Sequence, residues 1–233
     1  KKIITIHIQN PKIDLSKFDF IISPNHDKID GSNVIKSVGA IHQFTKKMIE
    51  SKKDSYTFIP KDNLISFIIG GNNRHYKFTK KSILDLTNKI KNLKKKYSKF
   101  YFLIISSRRT NLDMIKFMKE KLDKIAYIWN GVDKNPYSFA LNNSKFFVVT
   151  SDSTSMISEC AFTGKPVFVF HLPFKRISKR IESFHHEFEN LNITKKFSDH
   201  IDLNPWQYET LDEAKRISGI IKERIIKGFN ESR

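Results

Sequence analysis

With 233 residues and 39% hydrophobic content, the chain can hold one large domain or two small ones and has enough apolar material to bury a core. Its single cysteine, Cys160, excludes an internal disulfide and a multi-cysteine metal site, and no apolar run reaches the roughly eighteen residues that a membrane-spanning helix needs. The formal charge of +18 would attract polyanions, but it is mostly lysine in a chain equally heavy in Ile, Asn and Phe, the drift of an AT-rich genome. Nucleic acid is therefore not expected as a partner. The expected location is the cytoplasm, with membrane contact limited to peripheral association at an anionic inner face. Lys1 and Lys2 stand directly before an apolar run with no initiator Met, so a preceding native segment is expected.

In chain order, short runs rich in Ile, Val and Phe predict buried parallel strands at Ile3 to Ile8, Phe18 to Ile22, Leu64 to Ile69, Phe100 to Ile105, Ile125 to Ile128, Phe146 to Val149 and Val167 to Phe170. Ile83, Leu86, Ile90, Leu93 and Tyr97 step by three and four and define one face of a helix. Lys89, Lys91, Lys94, Lys95 and Lys96 fall largely opposite, as a solvated face. Alternating strands and helices predict an α/β fold of two Rossmann-like domains, each a parallel sheet with helices on both faces. The polar stretch 51–63 reads as the linker. It divides a partial N-terminal, acceptor-side domain (1–59, two or three strands) from a five-strand C-terminal domain (60–205). A last helix (206–233) returns toward the N-terminal domain, with Thr210 and Glu213 at capping-box spacing.

Ligands of doubly wound folds sit at the carboxyl ends of the strands, so the loops there hold the candidate residues. Gly70-Gly71 permits a tight turn and close backbone approach, although such pairs are more often plain turn chemistry. Ser107, Arg108 and Arg109 open the next helix with guanidiniums suited to phosphate oxygens; equally, Thr110 is a helix cap and both arginines are solvated. The turn Ser153-Thr154-Ser155 begins a short helix whose N–H groups suit a diphosphate. Glu159, a little over a turn later, is placed to accept two ribose hydroxyls, or simply complements the helix dipole. His26 follows a strand in the N-terminal part and is a candidate general base oriented by Asp27, with a loop-structuring role the stronger alternative. His26 faces the expected interdomain cleft, which His42 could also line, and Trp129 and Tyr137 either stack on a base or, more often for large aromatics, fill core. His185-His186-Glu187 lacks a spaced third ligand, so no metal site is expected.

The run SDSTSMISECAFTGKPV resembles the donor-site signature of GT-B glycosyltransferases, a small-residue turn followed by Glu and, five residues on, Gly-x-Pro; Glu159, Gly164 and Pro166 hold that spacing. The resemblance implies a ribose at Glu159 and a diphosphate at Ser153 to Ser155. IQNP, FDFIISPNHD, NVIKSVGAIH, IGG, SSRRT, WNG, NPY and a late PW occur in the order found in the mitochondrial-fission family named from elongated mitochondria in plants, some of whose bacterial members are labelled nucleoside-diphosphate-sugar epimerase. The chain is similar to that family over nearly its whole length. The resemblance implies a GT-B-like protein that binds a nucleotide-diphosphate sugar, with UDP as the expected nucleotide and no further cofactor, and transfers the sugar to an unknown acceptor. The alternatives are a UDP-sugar 2-epimerase or hydrolase on the same fold, and a non-catalytic, membrane-associated fission-type protein.

Overall fold

A computed structural model describes residues 3–230. The first sheet has three parallel strands in the order β1-β2-β3: β1 (Ile6–Ile8), β2 (Phe20–Pro24) and β3 (Val34–Ser37). After helix α1 (Lys46–Glu50), a six-stranded parallel sheet follows. Its elements alternate as β4 (Leu64–Ile69), α2 (Lys80–Lys96), β5 (Tyr101–Ser106), α3 (Leu112–Leu122), β6 (Tyr127–Ile128), α4 (Tyr137–Asn143), β7 (Ser144–Thr150), α5 (Thr154–Ala161), β8 (Val167–Phe170), α6 (Lys179–Asn190) and β9 (Thr194–Lys196). The spatial order β6-β5-β4-β7-β8-β9 reverses direction between β4 and β7, which makes their carboxyl ends the switch point where ligands of such sheets bind.

Period-two alternation in β4 explains the two-faced core. Ile65, Phe67 and Ile69 point to the layer with Ile83, Leu86, Ile90 and Leu93 of α2, while Leu64 and Ile68 point to the layer with Ile157, Cys160 and Ala161 of α5. Every residue of β4 is buried, and each large apolar side chain there contributes about 1.5–3 kcal/mol by leaving water. The expected stripe on α2 is thus the buried face. Its lysines are not all solvated: Lys89 pairs with Asp85 and Asp199, Lys96 pairs with Asp202, and Lys94 donates to the carbonyls of Ser98 and Phe100.

Two strands lack the expected apolar signature. β3 is Val-Ile-Lys-Ser, alternating half-buried and buried, and β9 is an edge strand whose two lysines are exposed. An edge strand needs no second apolar face, so hydrophobicity alone does not mark it. Stretch 51–63 also does more than link, because Tyr56 and Ile59, with Ile49 of α1, are buried against Phe139 of α4 and its neighbours.

The last helix, α7 (Glu213–Asn230), packs on the three-stranded sheet, with Ile217 and Ile221 joining Phe20, Ile22 and Ile35 in one cluster. Thr210 does not cap it. The Asp212 carboxylate accepts from Lys215 N–H, and Glu213 turns away to accept from Val38 N–H at 2.7 Å and from Arg216. Among the described residues, no helix is long and apolar enough to cross a membrane.

Candidate functional site

At the switch point the loops after β4 and β7 interlock. Gly70 N–H donates to Thr150 Oγ1 at 2.7 Å and Gly71 N–H donates to Asp152 Oδ2 at 3.1 Å. A Cβ on Gly70 would lie 2.1 Å from Asp152 Oδ1, and one on Gly71 would lie 2.0 Å from the Arg109 carbonyl oxygen. The two glycines therefore permit loop against loop, not loop against ligand. Both are buried, and neither lines a cavity described below.

Asp152 is the centre of this lock. Its side chain is wholly buried and accepts from Thr150 Oγ1 and, at 2.7 Å, from the guanidinium of Arg109. Arg109 is thus held in an ion pair, while its neighbour Arg108 lies in the wall of an open cavity. Thr110 is not the cap of α3. Its hydroxyl donates back to the Ile69 and Gly70 carbonyls, and Asn111 caps the helix by accepting from Asp113 N–H.

Helix α5 links two cavities. One, of about 350 Å³, is lined on one side by Ser106, Ser107 and Arg108 and on the other by Trp129, Tyr137 and Glu159. Glu159 Oε2 accepts from the Tyr137 hydroxyl at 2.5 Å. Burial pushes the Glu159 carboxyl above its ordinary range, against the lowering effect of that hydrogen bond, and burial also holds the Tyr137 phenol protonated. Trp129 and Tyr137 are half-buried, so both pack against the core and still face the cavity.

The second cavity, of about 160 Å³, lies at the amino end of α5, where Thr154 and Ser155 meet Gln9, His26, Asp27 and Arg180. Ser153 caps the helix, its Oγ accepting from Met156 N–H. The N–H groups of Thr154 and Ser155 precede the first intrahelical bond, from Ile157 N–H to Ser153 O, and so remain available to an anion. His26 is buried edge-on against Phe184, its Nδ1 has no hydrogen-bond partner, and burial lowers its pKa. Asp27 does not orient it: that carboxylate is bound by Arg180 at 2.7 Å. Gln9, on the same cavity, is held at φ 80, a left-handed conformation that costs a non-glycine residue about 1–2 kcal/mol. His42 packs edge-on against Phe162 and lines neither cavity. Among the described residues no group of three or more His, Cys, Asp or Glu is placed to hold a metal ion. His185 instead sits between the Ser151 carbonyl and the Tyr76 hydroxyl.

Residues 1–225 match the family described as mitochondrial fission ELM1. The chain belongs to that family. It is 25% identical to the Arabidopsis thaliana mitochondrial fission protein ELM1, over 99% of the chain and 60% of the relative. It is 30% identical to the Rickettsia prowazekii uncharacterized protein RP120, over 86% of the chain and 58% of the relative. The chain thus spans about 60% of the length of these curated ELM1-family relatives. In fold it is similar to the Neisseria meningitidis UDP-GlcNAc 2-epimerase bound to UDP-GlcNAc, with TM-score 0.53, 17% identity, 90% of this chain and 62% of that one covered. It is also similar to S. aureus MnaA in a co-structure with UDP, with TM-score 0.50, 12% identity and coverages of 78% and 49%. This ELM1-family chain therefore has the α/β architecture of GT-B glycosyltransferase and epimerase domains.

Of the residues expected at the site, Ser107, Arg108 and Glu159 share the first cavity and Thr154, Ser155 and His26 the second, with Ser153 at the turn between them. Gly70, Gly71 and Arg109 belong to the lock behind them. Asp152 and Arg180 were not among the expected residues. An Asp directly after a strand and opposite a Gly-Gly turn is a usable signal for the first. The second has none, because its partner Asp27 lies 153 residues away.

Proposed function

We propose that the chain binds a nucleotide-diphosphate sugar, with UDP as the nucleotide, and transfers the sugar to an acceptor. One observation carries this reading: α5 presents the Glu159 carboxylate to one cavity and its first-turn N–H groups to the next. A ribose hydrogen-bonded to Glu159 puts the base against Trp129 and Tyr137. The diphosphate then crosses the Ser153 turn, with Arg108 on its flank, and the sugar enters the cavity beside His26.

His26 is the one ionisable residue lining that second cavity outside an ion pair, since Asp27 and Arg180 neutralise each other. A single neutral imidazole can take one proton from an acceptor hydroxyl, which suits transfer. Epimerisation at carbon 2 needs a proton removed and another returned, and the lining offers no second free acid or base. The scheme uses no metal or further cofactor, and the location proposed with it is the cytoplasm, where activated sugars are used.

Calorimetric titration with UDP, UDP-GlcNAc, GDP and ADP, on the wild-type chain and on Glu159→Ala, tests the reading. Uridine nucleotides are expected to bind the wild type and to lose affinity in the variant. Absence of binding by a folded wild type would remove the donor-site claim, and a free 2-epimer formed without acceptor would favour epimerisation.

A further inference from the structure

Beside the second cavity, two loops and the first residues of the helices that follow them, positions 72–81 and 171–181, hold Arg and Lys but neither Asp nor Glu, with Glu182 the next residue along α6. They form one platform. Lys77 N–H donates to the Pro173 carbonyl at 3.0 Å and Lys175 N–H donates to the His75 carbonyl at 2.7 Å. The rings of Tyr76, fully buried, and Phe174 stack with centroids 4.6 Å apart. Arg74, Lys77, Lys175, Arg176 and Lys179 are exposed on it, and none forms an ion pair among the described residues. Ile177 projects from their midst with 70% of its surface in water.

What sets Ile177 apart from other exposed apolar side chains is its place among unpaired cations, with Phe174, also exposed, beside it on the same platform. We infer that the 72–81 and 171–181 platform docks the protein on an anionic lipid bilayer, its basic side chains at the headgroups and Ile177 entering the acyl boundary. The charge is complementary to such a surface and the aliphatic tip partitions into its interface. Nucleic acid fits less well, because single strands are held by open aromatic faces, and the exposed ring of the platform, Phe174, already has one face stacked on the buried Tyr76. This inference does not depend on the nucleotide-sugar reading.

Flotation of the protein with vesicles of phosphatidylcholine, with and without phosphatidylglycerol, tests it. Binding is expected only to the anionic vesicles and is expected to fall with salt. Each basic residue near such a surface strengthens binding about fivefold, so Lys175→Ser/Arg176→Ser should weaken it roughly thirtyfold. Ile177→Ser should weaken it severalfold at unchanged charge. Lys116→Ser/Lys124→Ser, which removes the same charge from exposed positions off the platform, should change it little. Thermal melts unchanged from wild type confirm that each variant is folded. No binding to anionic vesicles, or equal losses in the two double variants, would overturn the proposal. So would an unaffected Ile177→Ser together with displacement from vesicles by single-stranded RNA, which would identify the surface as one for nucleic acid.

Discussion

The Tyr137 hydroxyl donates to Glu159 Oε2 at 2.5 Å, so the carboxylate proposed to hold the ribose already has one protein donor where it lines the cavity. Burial raises the Glu159 pKa and the Tyr137 bond opposes that rise. Tyr137→Phe therefore pushes the carboxyl further up, and UDP binding, which needs the ionised form, is expected to weaken severalfold and to have its acidic limb displaced to higher pH. Glu159→Ala removes both acceptors and is expected to cost about 1.5–3 kcal/mol of binding, roughly ten- to hundredfold. Titrations across pH check both. An acidic limb in the same place for Tyr137→Phe and wild type would show that the pair does not tune the site.

The Arg109–Asp152 pair spans the switch point with a wholly buried carboxylate and a guanidinium that is 45% exposed. Arg109→Ala leaves a buried charge held only by Gly71 N–H and Thr150, and removal of one partner from a buried pair costs about 3–5 kcal/mol. The exposed flank of Arg109 puts the expected loss at the lower end. Asp152→Ala strands two buried donors instead. The double variant is expected to be more stable than the summed single losses imply, with a coupling of about 1–3 kcal/mol in urea unfolding. Additive losses would mean that the two side chains stabilise their loops independently.

The contrast between these two pairs explains how much was legible in the sequence. Leu64 to Ile69 announces itself because a strand buried on both faces must be apolar throughout, and Glu159 is marked by fixed spacing along one strand-turn-helix. β9 is invisible by the same physics, since an edge strand can expose two lysines. Arg108 and Arg109 are indistinguishable in sequence, and only the fold gives one to Asp152 and the other to the cavity. Adjacency already made Asp27 the weaker choice as a partner for His26, because neighbouring side chains diverge, but nothing local shows that Arg180, 153 residues away, takes it instead. Periodicity records what an element buries, whereas pairings across the fold leave no local trace.

Gly39, just after β3, packs against Ser158 of α5 and Phe188 of α6. Its φ is +78, and an added Cβ would lie 2.6 Å from Ser158 Oγ and 2.7 Å from Phe188 Cζ. Ser158 Oγ also accepts from Ala40 N–H at 2.9 Å, so a displaced side chain would break that bond. Gly39→Ala combines a left-handed conformation with overpacking and is expected to lower stability by about 2–4 kcal/mol. Chemical denaturation measures it. A loss below about 0.5 kcal/mol, the range of ordinary surface substitutions, would show that this contact yields freely.

His185 gives the fold a defined response to acid. Its Nε2 lies 3.1 Å from the Ser151 carbonyl and 3.2 Å from the Tyr76 hydroxyl, and burial, with His171 next in effect, lowers its pKa to about 4. An unfolded histidine titrates near 6.5, so between those values the unfolded chain binds more protons and stability rises with pH. The contribution is fully present above pH ~6.5 and is lost as pH falls toward ~4, amounting to about 3 kcal/mol. His26 and His171, also lowered chiefly by burial, act in the same direction, so the informative quantity is the difference between wild type and His185→Gln. That variant is expected to be less stable at pH 7 and to show a shallower decline on acidification. The Ser151 carbonyl favours the protonated ring, so the loss on acidification comes from burying the charge and from His171, not from rupture of that contact. Parallel pH profiles of unfolding free energy for the two proteins would show that His185 is not the group that titrates.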